Sequence, residues 1–389
     1  MILGIDAANI RADGGLVHLV EILSVAQPAE FGFTKVVVWG GRSTLSQIDD
    51  RPWLVKNHQI ELDQGLPVRI WWQQFKLAEL ARLAACDLLF VPGGSCWTNF
   101  RPMVAFSQNV LPFDRKELWR FGWSWMTLKL KLLRSIQIRT FRKADGLIFL
   151  TSHASKVVIQ ALGGKLGKLA IIPHGVHERF ARPPREQLPI KTYSLARPFQ
   201  VLYVSKVYPY KHQWQVVEAV NRLRVGGLPV KLDLVGSAYL PALRQLERTL
   251  NLVDPTRSYM RYLGEIPHEE LASKYFSADL FVFASSCETF GMIVAEAMSA
   301  GLPIGCSNYG AIREVVGDAA LYFNPEDSDD IAGTLRTLIE STKLRTEKAE
   351  AAFGRSQMYS WKQCARDTFS FLASICQDTV SSEGKSQLE

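Results

Sequence analysis

The chain lacks the features of a disulfide-built, membrane-spanning or metal-cluster protein. Its six cysteines, Cys86, Cys96, Cys287, Cys306, Cys364 and Cys376, are scattered over 389 residues with no CxxC pair and no metal-ligand spacing. They read as reduced thiols in a chain large enough to fold without staples. Long apolar runs are missing as well, since a stretch such as Leu280 to Ala284 falls far short of the ~20 residues that cross a bilayer. The opening MILGIDAANIRADGG has neither the basic start nor the apolar core of a secretory signal, and Asp6 breaks its hydrophobic run. A cytoplasmic location is therefore expected. No DxD follows a predicted strand; Asp49-Asp50 and Asp327 to Asp330 stand in helical or loop contexts without a partner cluster, so neither a metal nor another cofactor is expected. No repeat of ~20–50 residues and no low-complexity block is present.

What is present is the balance of a folded globular chain, 47% hydrophobic and 21% charged, with a length that points to two domains. The net charge of +7 is concentrated: Arg115 to Lys143 carries nine Lys or Arg against the single acid Glu117, a local excess larger than that of the whole chain. Such a stretch asks for a local partner. With Trp119, Trp123 and Trp125 among the cations, it suits an anionic membrane surface. At 100° per residue Trp125, Leu128, Leu132 and Ile136 share a helical face, interrupted by Lys129 and Arg139. A solvated helix packed on its domain and a site for an anionic polymer are the other two readings; nucleic acid is not the expected partner.

The first half alternates apolar β-type runs with helical patterns: Ile2 to Ile5, Lys35 to Trp39, Leu88 to Val91, Met103 to Ser107, Leu147 to Leu150 and Leu169 to Ile172. A second series starts at Phe199 and passes through QVLYVSK, VKLDLVG, YMRYLGEI, ADLFVFAS, LPIGCS and ALYFNP. Strands alternating with helices imply parallel sheets covered on both faces. The expected fold is α/β, with two Rossmann-like doubly wound domains: 1–175, a Pro- and Arg-rich linker 176–198, and 199–360. A closing helix at about 361–376 is expected to return to the first domain, and 378–389 is a frayed polar tail.

In open parallel sheets ligands bind where strands end and helices begin. The densest constellation lies at such a place. ADLFVFAS runs into SCETFGMIVAEAMSAGLPI, with Glu288 in the loop and Glu296 on the helix. Thr289 suits an N-cap, and Gly291 opens the first-turn amides of Gly291, Met292 and Ile293 to a diphosphate. Glu288 would face a sugar, and Glu296, about two turns in, the ribose hydroxyls.

At these residues, with Phe290 inside the motif, the chain resembles the retaining, metal-independent glycosyltransferases of family 4, which carry an E-x7-E signature and the two-domain GT-B fold. The resemblance covers essentially the whole chain. It implies two domains facing across a cleft and transfer of a sugar from a nucleotide diphosphate-sugar to a saccharide or lipid-linked acceptor of the cell envelope. LYVSKVYPYK resembles the family's strand-loop motif with two cations five apart, here Lys206 and Lys211, placed to stabilise a leaving diphosphate. Lys206 stands where many relatives have arginine, which keeps the charge but not the planar fork.

In the first half, ANIRADGGLVHLVEIL resembles the family's Gly-rich loop, so that Gly14 and Gly15 would bring amides to the donor phosphates or the acceptor. AFSQNVLPF resembles a cleft loop that often carries histidine; Asn109 stands there and cannot act as a general base, which fits a leaving phosphate that takes the acceptor's proton. AIIPHGV resembles the hinge, with His174 near the cleft. Gly236 in LVGSAY and Ile266 in YLGEIP occupy loops that line the nucleoside pocket, and Trp361 resembles the aromatic that anchors the returning helix. Two alternatives stay open: a non-catalytic nucleotide-sugar-binding protein of this fold, and a sugar-nucleotide epimerase of this fold.

Overall fold

The structure, a computed structural model, describes residues 1–11 and 13–386. It divides into two compact units. Unit 1 comprises Met1–Leu118, Trp123–Gly175 and the chain from Ser360 onward; unit 2 comprises Trp119–Gly122 and Val176–Tyr359.

Unit 1 is built on seven parallel strands: β1 (Ile2–Asp6), β2 (Lys35–Gly40), β3 (Leu54–His58), β4 (Leu88–Val91), β5 (Met103–Ser107), β6 (Gly146–Phe149) and β7 (Lys168–Ile171). They lie in the order β3-β2-β1-β4-β5-β6-β7. Six of the seven are the expected apolar runs to within a residue or two. The strand that was not anticipated, β3, reads LVKNH and buries only Leu54. An edge strand is free to be polar, so it has no apolar signature to read. The central strands are apolar without alternation because helices cover both faces, and Trp39, Trp72, Phe90 and Phe106 are fully buried there.

The last helix, Trp361–Ser386, belongs to unit 1 and packs on the helix Asp13–Val25. Phe369 meets Phe31 and Phe33 at 6.3 and 6.0 Å. At Gly175 the backbone passes so close to this helix that a Cβ would stand 2.2 Å from the Trp361 amide nitrogen, so only glycine fits. The helix runs through most of the expected tail, where the sequence offers no proline to stop it; 387–389 lie outside the described residues.

Unit 2 carries β8 (Phe199–Val204), β9 (Val230–Val235), β10 (Met260–Tyr262), β11 (Leu280–Phe283), β12 (Ile304–Ser307) and β13 (Leu321–Phe323), all parallel in the order β10-β9-β8-β11-β12-β13. Helices between the strands include Gln213–Val225, Leu240–Val253 and Met292–Ser299. Residues 176–198, read as a linker from composition, are packed onto this unit instead. Phe180 is buried with its ring edge-on to Tyr275 at 5.7 Å. The buried Arg345 holds this extended proline-rich backbone: its guanidinium donates to the Leu188 carbonyl at 2.6 Å and to the Gln187 side-chain Oε1 at 3.1 Å.

Each sheet has one place where the connections turn in opposite directions, between β1 and β4 in unit 1 and between β8 and β11 in unit 2. Loops leaving the carboxyl ends of such paired strands diverge and leave a crevice for ligands.

Candidate active site

In unit 2 the two loops at the switch point hold five of the expected residues, Phe290 among them. The loop after β8 carries Lys206 and Lys211, and the loop after β11 carries Glu288 and Gly291. The loops are tied by the Ser286 amide, which donates to Tyr210 O at 2.9 Å. Lys211 and Glu288, 77 residues apart, form an ion pair with side chains only 10% and 15% exposed. The Lys211 ammonium also lies 5.0 Å from the centroid of the Phe283 ring and 5.3 Å from that of Tyr210, where the ring faces favour a cation. Ser205 Oγ and Gln213 Nε2 donate to the Lys206 carbonyl at 2.8 and 3.0 Å, which fixes the backbone that presents this lysine.

The helix entry differs from expectation. Gly291, not Thr289, is the N-cap, at φ +95° and with no side-chain cap bond. A Cβ there would also come within 2.6 Å of Ile312 Cδ1, so conformation and space both demand glycine. The Gly291 carbonyl accepts from Val294 and Ala295, and among the described residues no carbonyl accepts from the amides of Met292 and Ile293. Two donors at a helix start without a side-chain cap suit an anion.

Glu296 is 5% exposed and accepts a hydrogen bond from Tyr275 Oη at 2.9 Å. Burial raises its pKa to about 7, against the lowering effect of the Tyr275 bond and of Arg179. No sequence signal marks Tyr275, which reaches Glu296 from the preceding helix His268–Ser277; only the fold joins them. Phe290 is buried edge-on to Tyr359, 5.2 Å between centroids. Gly236 is pressed against β8, where a Cβ would fall 2.2 Å from Ser205 O. Its amide donates to Gly264 O at 2.8 Å, and Ile266, half-buried, follows two residues on.

Unit 1 holds the other expected residues. Gly14 and Gly15 lie in the first turn of the helix Asp13–Val25 rather than in the loop before it; a Cβ on Gly15 would touch Ile10 at 3.3 Å. Asn109 Oδ1 accepts from the Leu111 amide at 3.0 Å, so this oxygen shapes the turn. His174 is buried inside the unit: its Nδ1 is 3.0 Å from Nδ1 of His18, and Phe106 and Trp361 pack at 6.0 and 5.6 Å. Burial lowers its pKa to about 3. The same burial, followed by the His174 interaction, takes His18 well below the usual range. Asp327 caps the helix Ser328–Glu340 through the amides of Asp329 and Asp330. Among the described residues no three His, Cys, Asp or Glu side chains cluster as metal ligands.

Residues 185–355 match the family described as Glycosyl transferases group 1, a span that takes in the Lys211–Glu288 pair and nearly all of unit 2. Unit 2 is thus similar to the group 1 glycosyl transferases over this span. Over 192 residues the chain is 31% identical to O-antigen chain mannosyltransferase B of Escherichia coli, covering 48% of this chain and 49% of that protein. Glycogen synthase of Mycobacterium tuberculosis is 25% identical over 292 residues, 70% of this chain and 66% of that one. The chain thus spans about half the length of the mannosyltransferase it matches. Among solved structures, HepE of Anabaena in complex with UDP-glucose superposes with a TM-score of 0.69 at 18% identity, covering 95% and 99% of the two chains. Sucrose-phosphate synthase from Thermosynechococcus elongatus gives 0.74 at 16%, covering 95% and 97%. The fold is GT-B, with two doubly wound units, one of which holds the matched span.

Proposed function

We propose that this chain is a retaining glycosyltransferase that moves a sugar from a nucleotide diphosphate-sugar to a saccharide or lipid-linked acceptor without a metal. The reading is carried by the buried Lys211–Glu288 pair beside the uncapped start of the helix Met292–Ser299. Charge grows on the leaving diphosphate as the glycosidic bond breaks. Lys206, Lys211 and the amides of Met292 and Ile293 are preorganised donors for that charge, so they stabilise the transition state more than the ground state. Glu288 accepts hydroxyls of the transferred sugar, and Glu296 accepts those of the ribose. Phe290, Gly236 and Ile266 complete the donor pocket with main-chain and ring surface. In unit 1, Gly14, Gly15 and the Asn109 amide contribute hydrogen bonds to donor or acceptor. Asn109 is no base, so the departing phosphate oxygen takes the acceptor's proton on the face it leaves, which retains configuration. The relatives' names, a mannosyltransferase of O-antigen chains among them, support an envelope glycan as the acceptor.

A thermal-shift panel of UDP, GDP, ADP and their sugars tests the donor. One nucleotide should stand out, since a ligand at 100 times its dissociation constant adds about 2.7 kcal/mol of stability. Glu288→Gln should keep that shift and lose transfer and donor hydrolysis. No shift with any nucleotide would end the proposal.

The same reading includes peripheral contact with an anionic membrane. No helix among the described residues is long and apolar enough to cross a bilayer. The helix Trp125–Lys143 exposes Trp125 at 77%, Leu128 at 57% and Leu132 at 55%, next to Trp123 at 94%, with Lys129 and Lys131 exposed between them. Ile136, expected on this face, is turned into the core, so the apolar stripe is about two turns long. Each surface lysine or arginine contributes about 1 kcal/mol near anionic lipid. Binding to phosphatidylglycerol vesicles at low salt, reversed by ~0.5 M salt and lost in Trp125→Ala with Leu128→Ser, is the expected outcome; no pelleting at low salt would remove this part.

A further inference from the structure

The switch point of unit 1 carries two arginines that the proposed donor chemistry leaves unused. Arg11 follows β1, and Arg69 lies on the helix Leu66–Phe75. Arg69 Nη1 donates to Ala8 O at 2.9 Å and to Asn9 Oδ1 at 3.2 Å, which holds its guanidinium over the residues that leave β1. Its Nε is buried without an acceptor, and among the described residues nothing accepts from Nη2. Arg11 is exposed, with Nη2 on the Asp63 carbonyl at 2.9 Å and Nη1 on that of Gln64 at 3.5 Å, directly before the helix that bears Arg69.

Neither guanidinium has a described carboxylate within ion-pair distance. Asp6 is buried and turned toward the Ala8 amide at 3.0 Å and Gln73 Nε2 at 2.5 Å; the Asp63 carboxylate is taken by the Arg42 amide and His58. Burial, and then the charge of Arg11, lower the pKa of Arg69, with Asp6 acting against them. Arg69 Nη2 is thus a donor without an acceptor among the described residues, on the helix that follows the Asp63 and Gln64 carbonyls holding Arg11. The loop after β4 is tied to the same region: Asn9 Nδ2 donates to Ser95 O at 3.1 Å, and Gln73 Nε2 to the same oxygen at 3.3 Å.

We propose that this end of the unit 1 sheet recognises a phosphate or diphosphate group on the acceptor, with Arg11 and Arg69 as its ligands. Planar guanidinium forks match phosphate oxygens in pairs, and a dianion between them supplies the acceptors that the described residues do not. The identity of the group as an acceptor rests on the glycosyltransferase reading; the anion site itself is read from unit 1 alone.

The test uses calorimetric titration of the full chain with mannose 6-phosphate against mannose, and with geranyl diphosphate against geraniol. A saturating mixture of UDP, GDP and ADP blocks the diphosphate positions of unit 2. The phosphorylated member of at least one pair should bind, and which pair does so separates a soluble sugar phosphate from a lipid-linked diphosphate. Arg11→Gln and Arg69→Lys should each weaken that probe by roughly tenfold or more, the scale of a lost charge-assisted bond. Nucleotide binding should stay within about twofold, as expected for independent sites. Arg11 is exposed, so its variant keeps the test alive should Arg69→Lys lose stability. Equal binding of phosphorylated and unphosphorylated probes, or unchanged affinity in both variants, overturns the proposal. If nucleotides fail to bind while the arginine-dependent probe still does, the donor reading fails and the anion site stands.

Discussion

Lys211→Ala is expected to cost more than any other single change near the site, in stability and in activity together. The wild-type pair is almost dry, with Lys211 and Glu288 10% and 15% exposed, and removing one member of a buried pair leaves the other charge without compensation. Such losses run to about 3–5 kcal/mol, a large share of the total stability of a domain. Transfer should fall by about three orders of magnitude, because a preorganised cation at the leaving group acts where charge develops. The double variant Lys211→Ala with Glu288→Gln separates the two effects: it removes both charges, so denaturant stability should largely recover while transfer stays lost. A single variant as stable as wild type would show that the pair is not a desolvated one. A single variant with wild-type transfer would remove Lys211 from the mechanism.

Much of this was legible in the chain because it rests on runs of one kind of residue. Buried parallel strands need continuous apolar segments, and Leu88–Val91 and Met103–Ser107 were found to the residue. The diphosphate-facing loop could be placed because glycine and glutamate directly follow such a strand. What escaped notice depends on packing over long sequence distances. Thr289 looked like a cap, but the chain enters the helix through Gly291 in a left-handed conformation that uses no side chain, where Ile312 leaves no room for a Cβ. Residues 176–198 looked like a linker because proline and arginine are common in linkers, and nothing local announces that the buried Arg345 will take the carbonyl of Leu188. AIIPHGV looked like a hinge with His174 near the cleft, and nothing local announces that His174 will be buried against His18, 156 residues away. Tyr275 and Glu296 are likewise joined only by tertiary structure.

The Glu296–Tyr275 contact gives the second large effect, a dependence of stability on pH whose sign is opposite to that of most carboxylates. Its folded pKa, about 7, is raised from the ordinary 4.5 by burial. Between these values the folded state holds a proton that the unfolded state releases, so stability falls as pH rises through this window and levels off above it. Across two and a half units the loss is on the order of 3 kcal/mol. The buried pair His18 and His174 works in the other direction. Both imidazoles have folded pKa values below 6.5, so their contribution is lost as pH falls below that value, and a single wild-type profile would mix the two effects. The difference between wild type and Glu296→Gln isolates the carboxyl, because glutamine still accepts from Tyr275 and never ionises. That difference, from denaturant midpoints between pH 4 and 8, should shift against the wild type by about 3 kcal/mol as pH rises, and a flat difference would mean that Glu296 is already ionised at acid pH. If the carboxylate accepts ribose hydroxyls, the nucleotide binds the ionised form. Its affinity should then rise with pH up to about 7 in the wild type and stay level in the glutamine variant.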